Sequence, residues 1–275
     1  MILANHHIHS TVSDGHLTPE EIIKESLDFG LKNICFTEHH PLPNTKISNW
    51  TRFYPDTDFE RLQKLKTKYA DKIAISVGVE MDWFEEHAKH IRQEINKRNY
   101  DFVLGSIHFM KAKNKPRYVG IHMKNDQTDS LLKSYGGIEN TVKEYYRQTR
   151  LMARSGLFDC IGHIDRIKLT LGHLFNKNES WYTEEIEKTL DTIKNAGICT
   201  ELNTSGLNHP PHYETYPNKN ILKEMKKRNI PITIGTDGHT SHINDGLKKG
   251  YDLARQAGYK TVNIFQKREK REISI

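Results

Sequence analysis

Short runs rich in β-branched residues alternate with helix-like stretches seven times along the chain, and this alternation restricts the fold more than any other feature. The runs lie at 2–4, 33–37, 73–79, 102–107, 160–162, 198–202, 232–235 and 261–265. Helical periodicity occupies 58–69, 85–97, 138–154, 183–195, 218–228 and 243–256. An earlier helix has explicit ends: Thr18 as N-cap, Pro19 at the first position, Glu21 closing a capping box, and Gly30 as terminator. Parallel neighbours need a long crossover, so a strand–helix repeat predicts an α/β fold with a parallel sheet. A closed barrel and an open doubly wound sheet both satisfy that pattern. Neither the glycine-rich dinucleotide fingerprint nor a P-loop follows any of the runs. The length, 275 residues, suits one barrel domain over 1–275, since such barrels take about 250 residues or more. The polar segment 111–137 reads as an excursion from the barrel and a candidate lid.

Composition removes other classes. Apolar residues make up 36% and charged residues 28%, and no run approaches the roughly 20 apolar residues of a membrane span. A charged leader followed by an apolar core is not apparent, and three isolated cysteines give no disulfide framework. A cytoplasmic protein is the expectation. Net charge is +6, compatible with an anionic substrate, but no aromatic-plus-basic pattern points to nucleic acid. The basic clusters at 223–228 and 267–271 read as a solvated helix face and tail.

The 16 histidines carry the most information. Each of seven predicted strands is followed by ligand-type side chains: His7, His9 and Asp14; Glu38, His39 and His40; Glu80 and Asp82; His108; His163 and Asp165; Glu201, Asn203 and Ser205; Asp237 and His239. In α/β barrels the active site is built at those ends. A row of buried charges without partners would be costly, so convergence on cations is the economical explanation. Imidazole and carboxylate without thiolate suit Zn²⁺, Mn²⁺ or Fe²⁺. His7, His9, Asp14, His39, Glu80, His108, His163, Asp237 and His239 form the expected ligand set. It exceeds the needs of one ion and suits two or three, with a carboxylate as bridge.

These residues resemble a known group. His7-x-His9, Ser13-Asp14-Gly15, Thr37-Glu38-His39, Glu80, His108, Gly162-His163 and Asp237-Gly-His239 resemble the PHP (polymerase and histidinol phosphatase) superfamily. Gly105-Ser-Ile-His108-Phe, Ile161-Gly-His163-Ile-Asp165 and Glu201-Leu-Asn203-Thr-Ser205 are similar to its stand-alone histidinol-phosphatase branch. The resemblance implies a distorted (β/α)7 TIM-like barrel and a trinuclear centre. His7, His9, Glu80 and Asp237 would hold one ion; Glu80 would bridge to a second with His108 and His163; Asp14, His39 and His239 would hold a third. It implies hydrolysis of L-histidinol phosphate to L-histidinol and phosphate in histidine biosynthesis. Two positions depart from the common pattern: Asn5 stands where many members have Asp, and Glu38 where T-D-H is common.

On that expectation a water bridging two cations is the nucleophile. Arg166, Arg117 and Lys111 are candidate phosphate contacts. Asn203 and Ser205 are candidate donors to the phosphate or the amino group. His239 or Asp237 are candidates to protonate the leaving alcohol, but a metal-bound His is a poor acid and the general acid is left unassigned. Glu38, Asp165, Glu201 and Phe109 are candidate rim residues for the imidazole and amino groups. The partner is a small phosphate monoester, with no nucleic acid or membrane; the sequence sets no oligomeric state. The enzymatic alternative is a related phosphoesterase acting on nucleotide, oligonucleotide or phosphotyrosine. The non-enzymatic one is a metal-binding regulatory barrel, which the complete ligand set disfavours. Amidohydrolase barrels also begin with H-x-H, but they place a bridging Lys where this chain has His108.

Overall fold

The structure is a computed structural model and describes residues 3–40, 55–113, 118–121, 128–208, 210 and 213–275. In chain order the strands are β1 (Ala4–Ile8), β2 (Asn33–Phe36), β3 (Ala74–Val77), β4 (Val79–Asp82), β5 (Val103–Ser106), β6 (Phe109–Lys111) and β7 (Tyr118–Gly120). There follow β8 (Cys160–Ile161), β9 (Cys199–Asn203), β10 (Ile232–Gly235), β11 (Thr261–Gln266) and β12 (Glu269–Ser274). The helices are α1 (Pro19–Phe29), α2 (Asp56–Lys68), α3 (Ala88–Asn96), α4 (Thr128–Tyr135), α5 (Ile138–Arg154), α6 (Ile167–Leu171), α7 (Ser180–Ala196), α8 (Lys219–Lys227) and α9 (Leu247–Gln256).

Two parallel arcs make the sheet, β1–β2–β3 and β4–β5–β8–β9–β10. They join into a ring. β3 and β4 are halves of one extended stretch that changes partner at Gly78, whose N–H bonds Phe36 O at 2.8 Å while that of Val79 bonds Phe102 O at 3.0 Å. At the other seam Asp237 N–H donates to His7 O (2.9 Å) and His9 N–H to Gly238 O (3.1 Å). Seven strand positions thus close a distorted (β/α)7 barrel, and the open-sheet alternative falls away. Core strands such as β2, β5 and β10 are buried at every residue, as expected for a parallel sheet covered by helices. The first helix begins with the expected Thr18 capping box and ends at Gly30, which adopts φ +89° that a residue with a side chain rarely takes.

Three expectations change. The run 261–265 is not a barrel strand: β11 pairs antiparallel with β12 in a hairpin over the N-terminal strand ends. The basic 267–271 cluster is therefore no tail. Lys267 and Arg268 make its turn, and Arg268 forks onto Asp159 at 2.9–3.0 Å. Charged alternation on an exposed edge strand looks like solvated chain when read alone. Helix 243–256 starts only at Leu247, and 85–97 opens with a 3-10 turn before α3. Segment 111–137 contains β7 and α4; residues 114–117 and 122–127, part of the candidate lid, lie outside the described residues.

The hairpin meets the barrel at His6, whose Nε2 accepts the Phe265 N–H at 3.0 Å. Burial pushes the His6 pKa down to about 3, against the weaker pull of Asn33 and Asp101. The folded ring is neutral, whereas the unfolded one takes a proton below pH ~6.5. His6 therefore contributes fully above pH ~6.5, and stability falls by about 1.4 kcal/mol per pH unit as pH drops from there toward 3. Urea unfolding at pH 7.5, 6 and 5 should show a flatter decline in His6→Gln, which keeps an acceptor but cannot titrate. Parallel curves for the two proteins would remove His6 as the acid-sensitive group.

Candidate metal centre

At the C-terminal mouth the extended backbone of β1 brings the Nε2 atoms of His7 and His9 to 3.0 Å from each other. Neighbouring β10 passes so close that a Cβ on Gly235 would sit 2.3 Å from His7 Cβ, so only glycine fits there. Beyond β8 and β10, His163 and Asp237 take positive φ, +20° and +53°. Such conformations persist when surrounding bonds impose them. His163 N–H donates to Glu201 Oε2 at 3.0 Å, and Asp237 N–H is fixed by His7 O.

Glu80 sits at the centre. Its Oε2 lies 3.2 Å from His39 Nδ1, 3.3 Å from His7 Nε2 and 3.4 Å from His9 Nε2. Its Oε1 lies 3.1 Å from His163 Nε2 and 3.6 Å from His108 Nε2, and it also accepts from Ser106 Oγ. Asp237 Oδ1 stands 3.4 Å from both His7 and His9. Asp14 reaches His239 Nε2 at 3.3 Å and His39 Nε2 at 3.6 Å. Three donor groups result: His7, His9, Glu80 and Asp237; His39, Glu80 and His108; His9, Asp14, His39 and His239. Within each, the ligand atoms lie within 4.8 Å of one another. His163 faces the same Glu80 oxygen as His108, and His39 lies between Glu80 and Asp14.

The residues fit divalent cations. Glu80 Oε2 is buried and makes no hydrogen bond, although three imidazole nitrogens surround it. Three rings have their Nδ1 side fixed, which turns Nε2 inward: His7 on Glu201 (2.6 Å), His108 on Asp82 (3.1 Å) and His239 on the Asp237 carbonyl (2.8 Å). Electrostatics shows the same demand. Burial disfavours the His7 cation, yet Glu201, Glu80 and Asp237 raise its pKa well above the usual value. Burial also opposes the His9 cation, but Asp237 and Glu80 raise it to about 9. Burial would lift the Glu80 and Asp237 carboxyls, but the surrounding histidines hold both well below the carboxylate range. Burial lowers His39 and His163. Without metal, protons on some rings meet the negative charge; divalent cations would displace them.

Other expected site residues fall elsewhere. Arg166 reaches the centre, with Nη1 3.1 Å from Asp237 Oδ2 and Nε buried without a hydrogen bond. Lys111 does not: its ammonium is 2.6 Å from Glu86, and it lines a separate cavity of about 190 Å³ with Phe84, Phe109 and Tyr118. Arg117 lies outside the described residues. Asn203 is fully buried, donating to Glu201 (3.1 Å), and Ser205 spends its hydroxyl on Asn203 Oδ1 (2.6 Å). Glu38, Asp165 and Glu201 are not rim residues; all three are buried and hydrogen-bonded inward. Asp82, noted at a strand end, proves to fix His108 rather than join the donor groups, and Ser106, which the sequence did not single out, bonds Glu80. Asp82 had a signal, since it shares a strand face with Glu80 two residues earlier. Asn5, the departure from Asp, ties β1 to the β10 end through Thr236 (2.8 Å) and Asn244 (3.0 Å).

A profile of the PHP domain matches residues 5–205. The chain belongs to the PHP domain family. Among curated proteins, this PHP chain is 29% identical over 243 residues to a probable histidinol-phosphatase of Deinococcus radiodurans, with 86% of each covered. It is 25% identical over 236 residues to the histidinol-phosphatase of Bacillus subtilis, covering 81% of this chain and 87% of that one. Its PHP fold matches that of the histidinol phosphate phosphatase of Lactococcus lactis with a TM-score of 0.80, over 98% of both chains at 21% identity. That structure is a complex with zinc, L-histidinol and phosphate.

Proposed function

We propose that this PHP protein is a metal-dependent phosphatase that hydrolyses L-histidinol phosphate to L-histidinol and inorganic phosphate, a step of histidine biosynthesis. The observation that carries the proposal is the convergence of six imidazoles and two further carboxylates around Glu80, in a chain that curated histidinol phosphatases match over 81–86% of its length. His7, His9, Glu80 and Asp237 would hold one ion, Glu80 with His108 and His163 a second, and Asp14, His39 and His239 a third. His39 also stands close enough to Glu80 to contribute to the second. Bound there, such cations offset phosphoryl charge and make water nucleophilic near neutral pH.

The chain's own groups do the rest. Glu80 spans two donor groups with its two oxygens and fixes their separation. Arg166 adds a planar cation beside Asp237, within reach of a phosphate at the mouth, and its ring neighbour Tyr216 (6.0 Å) limits where it can swing. Asp237 is better suited to hold a cation than to donate a proton. Burial alone would favour its neutral form, but His7, His9, His239 and Arg166 keep it ionised. A cytoplasmic location accords with three buried cysteines that remain thiols. Among the described residues no helix is long and apolar enough to cross a membrane.

Purified protein should release phosphate from L-histidinol phosphate far faster than from nitrophenyl phosphate. A chelator should reduce release to background, and Mn²⁺ or Zn²⁺ should restore it. Metal-dependent release from other esters but none from histidinol phosphate would keep the centre and discard the substrate.

A further inference from the structure

Glu38 follows β2 and immediately precedes His39. Its side chain is fully buried, and both carboxylate oxygens turn toward the 10–15 loop. Oε1 accepts from Ser10 Oγ at 2.6 Å and Ser10 N–H at 3.1 Å; Oε2 accepts from Ser13 N–H at 3.2 Å and from Ser13 Oγ. Among the described residues no Lys or Arg pairs with it, so two hydroxyls and two amides meet its whole charge. The loop it grips presents Asp14, one residue after Ser13. Asp14 itself is only partly covered, with 42% of its side chain exposed.

We infer that Glu38 is the positioning residue for the third ion: one buried carboxylate fixes the backbone on both sides of that site, next to His39 and next to Asp14. This rests on the reading above that Asp14, His39 and His239 hold an ion. The other donor groups share His9, which precedes Ser10, and His39 with this site, but their remaining rings are held by other bonds. His7 is set by Glu201 and His108 by Asp82. Glu38 therefore acts mostly on the third ion, the one site with ligands on both segments it holds. A shorter Asp at this position would not reach both serines without moving the loop. A Gln keeps the reach but places an N–H₂ against groups that are already donors.

The test is metal binding by the metal-free full chain, read by calorimetric titration with Zn²⁺ and by metal content after dialysis. Wild type should take three equivalents. Glu38→Gln should weaken two only slightly, through the shared His9 and His39, and bind the third about 10–100-fold more weakly, the usual cost of losing a ligand's orienting partner. Ser13→Ala, which removes a single hydroxyl and folds more safely, should show the same selective loss to a smaller degree. Three equivalents at wild-type affinity in both variants would overturn the inference. So would equal weakening of all three sites, which marks general loosening of the barrel. Fewer than three equivalents in wild type would instead overturn the trinuclear reading, and the role of Glu38 with it.

Discussion

Glu80→Ala should abolish phosphatase turnover while leaving the barrel folded. The expectation follows from position. Glu80 is the group that faces His7, His9 and His39 with one oxygen and His108 and His163 with the other. Removing it takes the shared anion from two donor groups at once and leaves five imidazoles facing a gap. Loss of one preorganised charge-stabilising group typically costs ~10²–10³ in kcat, and the loss here should be at least that large. Metal content should drop in parallel. Glu80→Asp is the sharper variant, since it keeps the charge but its shorter stem cannot serve both groups. Its kcat should fall with little change in far-ultraviolet circular dichroism. Wild-type kcat and metal content in Glu80→Ala would remove Glu80 as a bridge.

A second large effect is expected from Lys168→Ala, through stability. Lys168 is fully buried beside an equally buried Asp165, with Nζ 2.8 Å from its Oδ2. The same ammonium donates to Thr215 O at 2.8 Å, reaches Glu214 at 3.3 Å and lies 4.8 Å from the Tyr216 ring. Burial already raises the Asp165 carboxyl despite Lys168 and the Asn218 amide. Removing one partner of a buried ion pair typically costs about 3–5 kcal/mol, and here, among the described residues, it leaves the Asp165 charge with only the Asn218 amide to meet it. Folded proteins hold only about 5–15 kcal/mol in total, so the urea midpoint should fall by a large fraction. Lys168→Met with Asp165→Asn, which removes both charges and keeps the volume, should recover most of that loss. A deficit below about 1 kcal/mol in Lys168→Ala would place this pair with ordinary surface ion pairs. The segment that Lys168 anchors carries Tyr216 to Arg166, so the single variant should also raise KM.

Much of the centre was legible along the chain. His7-x-His9 could be read because an extended backbone places residues two apart on one side, and Glu80, His108, His163 and Asp237 because barrel strands all end at one mouth. The capping box at Thr18 is a local signal and needs nothing beyond neighbouring residues. Glu38, Asp165 and Glu201 were misread for one reason. A carboxylate at a strand end looks the same in sequence whether it faces substrate, metal or a buried hydroxyl. The donors lie far off in the chain for Glu38 (Ser10 and Ser13) and Glu201 (His7); Asp165 has one far donor, the Asn218 amide, and one close by, Lys168. Lys168 gave no signal at all, because lysine in a short helical stretch reads as solvated.

The sequence by itself determined the parallel α/β order, the ligand types and the end of the barrel where they gather, because these follow from backbone periodicity and residue chemistry. The tertiary structure decided which carboxylates stand behind the ligand-type histidines rather than among them, and that β11 and β12 form a hairpin rather than a barrel strand. Those depend on distances between residues as far apart as His6 and Phe265, and burial and pairing across such separations are settled only when the ring closes.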